Sequence, residues 1–191
     1  MKAFEEALAF VLRWEGDDTF THDPQDPGGA TKYGISYRFI HDLPLRISDV
    51  DGDGLKTWRD VQALELHHAQ QIYKDFFWTP LLCDVLPERV AFVLFDTAVN
   101  CGRTRAVKWL QQLVSSKRDG IIGPKTLANT LRLICPDAMW ESETIICTAL
   151  VTLRDLHYMS LAHNHEWAER FVQGWRNRTD DLLNETTMVS V

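Results

Sequence analysis

The chain has 191 residues, with 20 Lys and Arg against 27 Asp and Glu, and a formal net charge of −7. Its 45% hydrophobic and 25% charged shares are those of one large globular domain or two small lobes, which excludes a disordered or fibrous chain. The acidic balance argues against nucleic acid as a partner, and no stretch approaches the roughly 18 uncharged apolar residues of a membrane span.

The opening Met1-Lys2-Ala3-Phe4-Glu5-Glu6 does not read as a signal peptide, because two acids stand where an apolar run should follow the basic start. Phe4, Ala7, Leu8, Val11 and Leu12 follow helical spacing, and Gly16 supplies a stop. Glu15 lies four residues after Val11 and three after Leu12, on the apolar face. A carboxyl group there loses solvation and feels the negative end of the helix dipole; both favour the protonated form that a general acid needs. The plainer reading is a boundary glutamate whose head reaches water.

Residues 17–35 are rich in turn formers, including Asp23-Pro24, Asp26-Pro27-Gly28-Gly29 and Gly34. Asp17, Asp18, Asp23 and Asp26 could each supply a second carboxylate, or each could simply shape the turn. Thr31, Tyr33 and Ile35 alternate as in a short strand or hairpin, and Ser36 suits the cap of a short helix holding Phe39 and Ile40.

Asp49-x-Asp51-x-Asp53-Gly54, five residues and then Asp60 fit the twelve-position calcium loop. Asp49, Asp51 and Asp53 take positions 1, 3 and 5. Leu55 would offer its backbone carbonyl, and Asp60 replaces the usual glutamate. The expected role is structural, and the alternative is a solvated acidic turn.

Helical pattern resumes from Trp58 to about Phe77, and Pro80 and Pro87 bracket a linker. The expected division is therefore an N-terminal lobe over 1–86, a helical lobe over 87–185 and a tail over 186–191. Residues 88–101 are apolar nearly all round, as in a buried central helix. Asp96 and Asn100 stand one turn apart on it; they either tie helices together or line the floor of a cleft. Further helices are expected at about 104–115, 124–134, 138–162 and 165–184, the third of these starting after the Asp119-Gly120-Ile121-Ile122-Gly123-Pro124 turn and the helix that follows it. Arg178 recurs with Trp167, Phe171 and Gly174 on one helical face, so an inward guanidinium paired with Asp96 or Glu15 is expected, or else one that reaches solvent past its packed stem.

Four cysteines (Cys83, Cys101, Cys135 and Cys147) form no C-x-x-C pair, and His67-His68 and His163-x-His165 lack a persuasive metal spacing. No nucleophile elbow, phosphate loop or dinucleotide fingerprint is present, which leaves carboxylate chemistry as the enzymatic reading.

Several strings together resemble glycoside hydrolase family 108, N-acetylmuramidases found among phage endolysins and bacterial secretion activator proteins. They are Trp14-Glu15-Gly16, then Asp26-Pro27-Gly28-Gly29-Ala30-Thr31-Lys32-Tyr33-Gly34-Ile35-Ser36, then Ile72-Tyr73 with Trp78-x-Pro80, then Phe95-Asp96-x-Ala98-Val99-Asn100-x-Gly102. Phe171-x-x-Gly174-Trp175-x-x-Arg178 is the last of these strings, and Asp119-Gly120-Ile121-Ile122-Gly123-Pro124-x-Thr126 looks like the signature of predicted peptidoglycan-binding modules. The resemblance covers roughly residues 5–180; it departs at Asp17, where the family's second glycine stands.

The resemblance implies a mainly helical (all-α), lysozyme-like two-lobed fold, with at most a small β-hairpin near residues 18–35. It implies hydrolysis of the β-1,4 bond from N-acetylmuramic acid to N-acetylglucosamine in peptidoglycan. Glu15 matches the catalytic glutamate. Asp26, with Asp23 as competitor, would hold a water or steady the developing oxocarbenium charge, with Thr31 helping to orient that water, while Tyr33, Asp96 and Asn100 would line the cleft. No cofactor is expected for catalysis, and a structural calcium ion is expected at Asp49, Asp51, Asp53, Leu55 and Asp60. The expected partner is the glycan strand, with no membrane span and a monomeric state. Without an export signal the chain would reach the wall after release or through a holin. The rival readings are a lytic transglycosylase and a non-catalytic wall-binding or secretion-accessory protein.

Overall fold

The computed structural model describes residues 2–22, 29–134 and 136–187. The described chain is mainly helical with one two-stranded antiparallel sheet, as the sequence periodicity predicts. It divides into two units, Met1–Phe76 and Phe77–Val191.

In the first unit, helix α1 (Lys2–Glu15) buries Phe4, Ala7, Leu8, Phe10 and Val11 along one stripe. Gly16, at φ +115°, ends it with an amide donated to the Leu12 carbonyl at 3.1 Å. Strands β1 (Thr31–Lys32) and β2 (Ile35–Ser36) form a hairpin in the register Thr31–Ser36 and Lys32–Ile35. Its central residues Tyr33 and Gly34 both have positive φ (54° and 71°), the combination that a tight type I′ hairpin turn demands. Ser36 caps helix α2 (Tyr37–His41), its hydroxyl accepting the Phe39 amide at 3.2 Å. A one-turn helix, α3 (Leu45–Ser48), leads into the acidic loop.

The single helix expected over 58–77 is broken. Helix α4 (Trp58–Ala63) stops before Leu64, and α5 (Leu66–Tyr73) runs into a π-helical turn at Lys74–Trp78. The cause is tertiary. The Lys32 ammonium donates to the carbonyls of Gln62 (3.2 Å) and Leu64 (2.6 Å), satisfying backbone acceptors that a continuing helix would use. Glu65 then restarts the helix, its amide donating to His68 Nδ1 at 3.1 Å.

In the second unit, α6 (Glu88–Cys101) is buried on most of its circumference, as expected. It is followed by α7 (Arg103–Leu113), α8 (Pro124–Leu133), α9 (Met139–Asn164), α10 (Glu166–Glu169) and α11 (Val172–Thr187). Helix α9 packs against α6, α7, α10 and α11 and is the spine of this unit. The helix expected over 165–184 is therefore two, parted at Arg170 and Phe171, and α11 extends to Thr187 rather than ending before a tail at 186. The turn before α8 is organised by buried Gln111. Its side-chain nitrogen donates to Asp119 Oδ1 (2.8 Å) and to the Ile121 carbonyl (2.9 Å), and its oxygen accepts the Gly120 amide (2.9 Å).

One segment, Pro136–Asn164, is long and apolar enough to cross a membrane by length and composition, contrary to the expectation that no stretch would be. Within this unit its Ile146, Leu150 and Val151 are core residues, so the same apolar content serves helix packing. Cys83, Cys101 and Cys147 are buried free thiols. Burial pushes the Cys147 thiol up to about 12 and raises Cys83 and Cys101 as well.

Candidate active site

Glu15 is the last residue of α1 and is half-buried. The hairpin turn lies against its stem. A Cβ added at Gly34 would stand 2.5 Å from Glu15 Cβ and 2.9 Å from the Tyr73 hydroxyl, so only glycine admits this approach. Two backbone ties strap the turn in place. The Tyr33 amide donates to the Asp17 carbonyl at 2.9 Å, and the Tyr73 hydroxyl donates to the Tyr33 carbonyl at 3.0 Å. The helix exit, the hairpin and α5 are thus fixed to one another around Glu15.

Thr31 is held on the same hairpin. It pairs with Ser36 on one side and exchanges two backbone hydrogen bonds with Thr21 on the other (2.9 and 2.8 Å). The Thr21–Thr31 bridge closes the loop that contains Asp23 and Asp26, both of which lie outside the described residues. Thr31 and Tyr33 thus lie on one hairpin, whose Gly34 packs against the stem of Glu15 at the end of α1.

The charge at the family's glycine position is locally occupied. Asp17 Oδ1 accepts the Thr19 hydroxyl (2.7 Å) and the Thr19 amide (3.0 Å), and these bonds hold its carboxyl below the usual range. The Tyr33 phenol is raised, first by burial and then by the negative charges of Asp18, Glu65 and Asp17. Acidic groups thus surround the ribbon on one side, while the Lys32 ammonium stands 5.5 Å from the Tyr33 ring.

Next to Thr21 stand three aromatic rings that the sequence does not mark as a group. His22 stacks on Trp58 at 5.0 Å between centroids, and Phe20 stands 6.3 Å from Trp58. Trp58 is 37% exposed although it opens a helix in the core-forming register. Exposure of a tryptophan face was the signal, and a linear sequence does not carry it.

Asp96 is not a cleft residue. It is 0% exposed, and both its oxygens are engaged by guanidinium groups. Arg154 Nη1 donates to Oδ2 at 2.5 Å, and Arg178 donates to Oδ1 from Nη2 (2.6 Å) and Nε (3.1 Å). The expected Asp96–Arg178 pair is present, and Arg154, which the sequence did not single out, completes it. Burial works against ionisation of Asp96, but the two cations outweigh it and hold the carboxyl below its ordinary range. Asn100, half-buried, joins the same network, accepting from the Tyr158 hydroxyl, which in turn accepts from Arg154 Nε at 2.6 Å.

In the acidic loop, oxygens of Asp49, Asp51 and Asp53 lie within 4.8 Å of one another, as a dication would require. Much of the loop is also tied by its own amides. Asp49 Oδ2 accepts from Gly54 (3.0 Å), Asp51 from Asp53 (3.2 Å) and Asp53 from Leu55 (2.8 Å). Asp60 has a different task from the one its spacing suggests. Fully buried, it accepts the Val50 amide (2.7 Å) on one oxygen and the Thr57 amide (2.6 Å) on the other, closing the loop and capping α4.

A family model described as glycosyl hydrolase 108 matches residues 8–102, and one described as a predicted peptidoglycan domain matches residues 105–180. The chain is similar to the structure of Brucella abortus SagA, with 28% identity over 99% of this chain and 98% of that one, and a TM-score of 0.69. No curated protein sequence matches it. The half-buried glutamate strapped to a glycine turn falls inside the first matched range and helices α8, α9 and α10 inside the second, and the chain belongs to the glycosyl hydrolase 108 family, with a predicted peptidoglycan domain following the first matched segment.

Proposed function

We propose that this chain is an N-acetylmuramidase that hydrolyses the β-1,4 bond between N-acetylmuramic acid and N-acetylglucosamine in peptidoglycan. The observation that carries the reading is the contact of the Gly34 turn with the Glu15 stem, which holds an acid beside a ribbon bearing Thr31 and Tyr33. In this mechanism Glu15 gives its proton to the glycosidic oxygen as the C1–O bond breaks. A water attacks C1 from the opposite face and passes its proton to Asp26, with the Thr31 hydroxyl orienting it. The exposed Trp58 face and Phe20 would seat a sugar ring next to that ribbon. If Asp26 acts on a water, its carboxyl stands about 6.5–9.5 Å from that of Glu15 and the product anomer is inverted.

The test is muropeptide analysis of purified walls digested by the wild type and by Glu15→Gln. Reducing muramic ends, lost in the variant, are expected. Anhydromuramic ends would assign a lytic transglycosylase, and an undiminished Glu15→Gln variant would remove Glu15 from the mechanism. Proton NMR of fresh product reads the anomer. For the acidic loop, calcium held by Asp49, Asp51 and Asp53 is proposed as a structural ligand remote from the chemistry; Asp49 Oδ1, buried without a hydrogen-bond partner, supports it.

A further inference from the structure

The second unit carries a run of aromatic rings that the hydrolytic mechanism does not use. Tyr158, on α9, is buried at 5% exposure and fixed by Arg154, Asn100 and Cys101. Trp175, on α11, stacks on it at 4.6 Å with planes 13° apart. Phe171 stacks on Trp175 at 5.8 Å, Trp167 meets Phe171 edge-on at 6.1 Å, and His165 stacks on Trp167 at 5.7 Å. Exposure grows along the run, to 41% at Phe171 and 53% at Trp167. Trp167, Phe171 and Trp175 recur every fourth residue, a spacing that brings helical neighbours together, and they remain in contact across the break between α10 and α11.

We infer that this strip is a saccharide-stacking site for the glycan strand of peptidoglycan, separate from the Glu15 chemistry. The inference rests on peptidoglycan being the substrate, as proposed above, and not on the catalytic step. A pyranose ring offers a face of C–H groups bordered by hydroxyls, and the electron-rich face of an indole or phenyl ring complements it. Rings anchored at one end in a buried ion network lose little freedom on binding, which favours affinity. The strip lies wholly within the range matched by the peptidoglycan domain. Charges of both signs flank it. The Arg170 guanidinium lies 4.7 Å over Phe171, while Glu166 and Glu169 share the short helix next to it. Stacking rather than ion pairing therefore drives this site, and its binding is insensitive to salt.

The experiment uses the full chain carrying Glu15→Gln, so that walls are bound without being cut, and co-sedimentation with purified insoluble peptidoglycan. Trp167→Ala and Phe171→Ala together should weaken binding about tenfold or more, the loss of a central aromatic anchor. Trp167→Phe should retain most of it, and Ile145→Ala, an exposed apolar change about 20 Å along α9 from Tyr158, should have no effect. Binding should persist at about 0.5 M NaCl, where charge contacts are screened. In the active background the double variant should raise the apparent KM on insoluble walls and leave kcat on short soluble glycans unchanged. Circular dichroism of the double variant should match the parent; should it not, Trp167→Phe and Trp167→Gln are compared instead, and equal binding by the two overturns the inference. Unchanged sedimentation of a folded double variant overturns it, as does loss of binding to anionic phospholipid vesicles with wall binding intact. Failure of the muramidase reading shows separately, as lysis that survives Glu15→Gln.

Discussion

Glu15 and Asp96 begin from the same sequence pattern, a carboxylate on the apolar face of a helix, and end in opposite states. Asp96 sits in the middle of α6 with 0% exposure, both oxygens bound by arginines from α9 and α11. Glu15 sits at the last position of α1, half-buried, with a glycine turn pressed on its stem. Position along the helix decides the difference. A mid-helix carboxylate is enclosed by whatever packs on the helix and must be neutralised there. A carboxylate at the helix end meets loops, and loops leave room for a ligand.

The sharpest way to break the comparison is to exchange effect for effect. Glu15→Gln should lower the lysis rate by about 10²–10⁴-fold with little change in the urea midpoint. Asp96→Asn should do the reverse in origin, costing about 3–5 kcal/mol because two buried guanidiniums lose their counter-charge. Equilibrium urea unfolding beside a lysis assay checks both. If Glu15→Gln destabilised as much as Asp96→Asn, the proposed division of labour between the two acids would fail.

Acid should sharpen it. The Asp96 carboxyl is held below its ordinary range when folded, so the unfolded chain takes up its proton first as pH falls. The stability this group contributes is complete above its unfolded value of about 3.9 and is lost as pH drops through the lower folded value. From about pH 4.5 downward, wild-type urea midpoints should fall more steeply than those of Asp96→Asn. Parallel acid limbs would contradict the pairing.

A smaller effect is expected at the hairpin. Gly34→Ala places a Cβ against Glu15 at a φ of +71°, for a cost of about 1–3 kcal/mol. Because the collision is with the proposed acid, lysis should fall by more than the loss of folded protein accounts for. Thermal melting and specific activity per folded molecule separate the two. The smallest effect is calcium. At tenfold excess over its dissociation constant, an ion at Asp49, Asp51 and Asp53 would add about 1.4 kcal/mol. Melting in EDTA and then in added Ca²⁺ measures it, and an unshifted midpoint rejects the site.

Features set by neighbouring residues were legible in the sequence. Gly16 ends α1 and Ser36 caps α2, because each depends on one residue's backbone or one short side chain; the hairpin was legible too, but Tyr33, read as a strand residue from its alternation with Thr31 and Ile35, sits in the turn. The breaks at Leu64 and at Phe171 were not legible. Neither site has a glycine or proline, and the first is made by Lys32 reaching across thirty residues of chain. Asp96 was visible as a polar group that needed a partner. Arg178 was visible by its helical face, whereas Arg154, inside a long and mostly apolar helix, carries no local signal that it faces a carboxylate on α6. The exposed rings at Trp58, Trp167 and Phe171 share a related difficulty. Composition marks an aromatic as core by default, and only the finished surface shows which ones were left outside.

The buried thiols bear on how the second unit opens. A cysteine reacts as its thiolate, and burial leaves almost none of that form at Cys83, Cys101 and Cys147 near neutral pH. While the second unit stays closed, these sulfurs resist oxidation. Each transient opening exposes a normal thiol, so their rate of modification by a small disulfide reagent becomes a clock for how often the bundle opens.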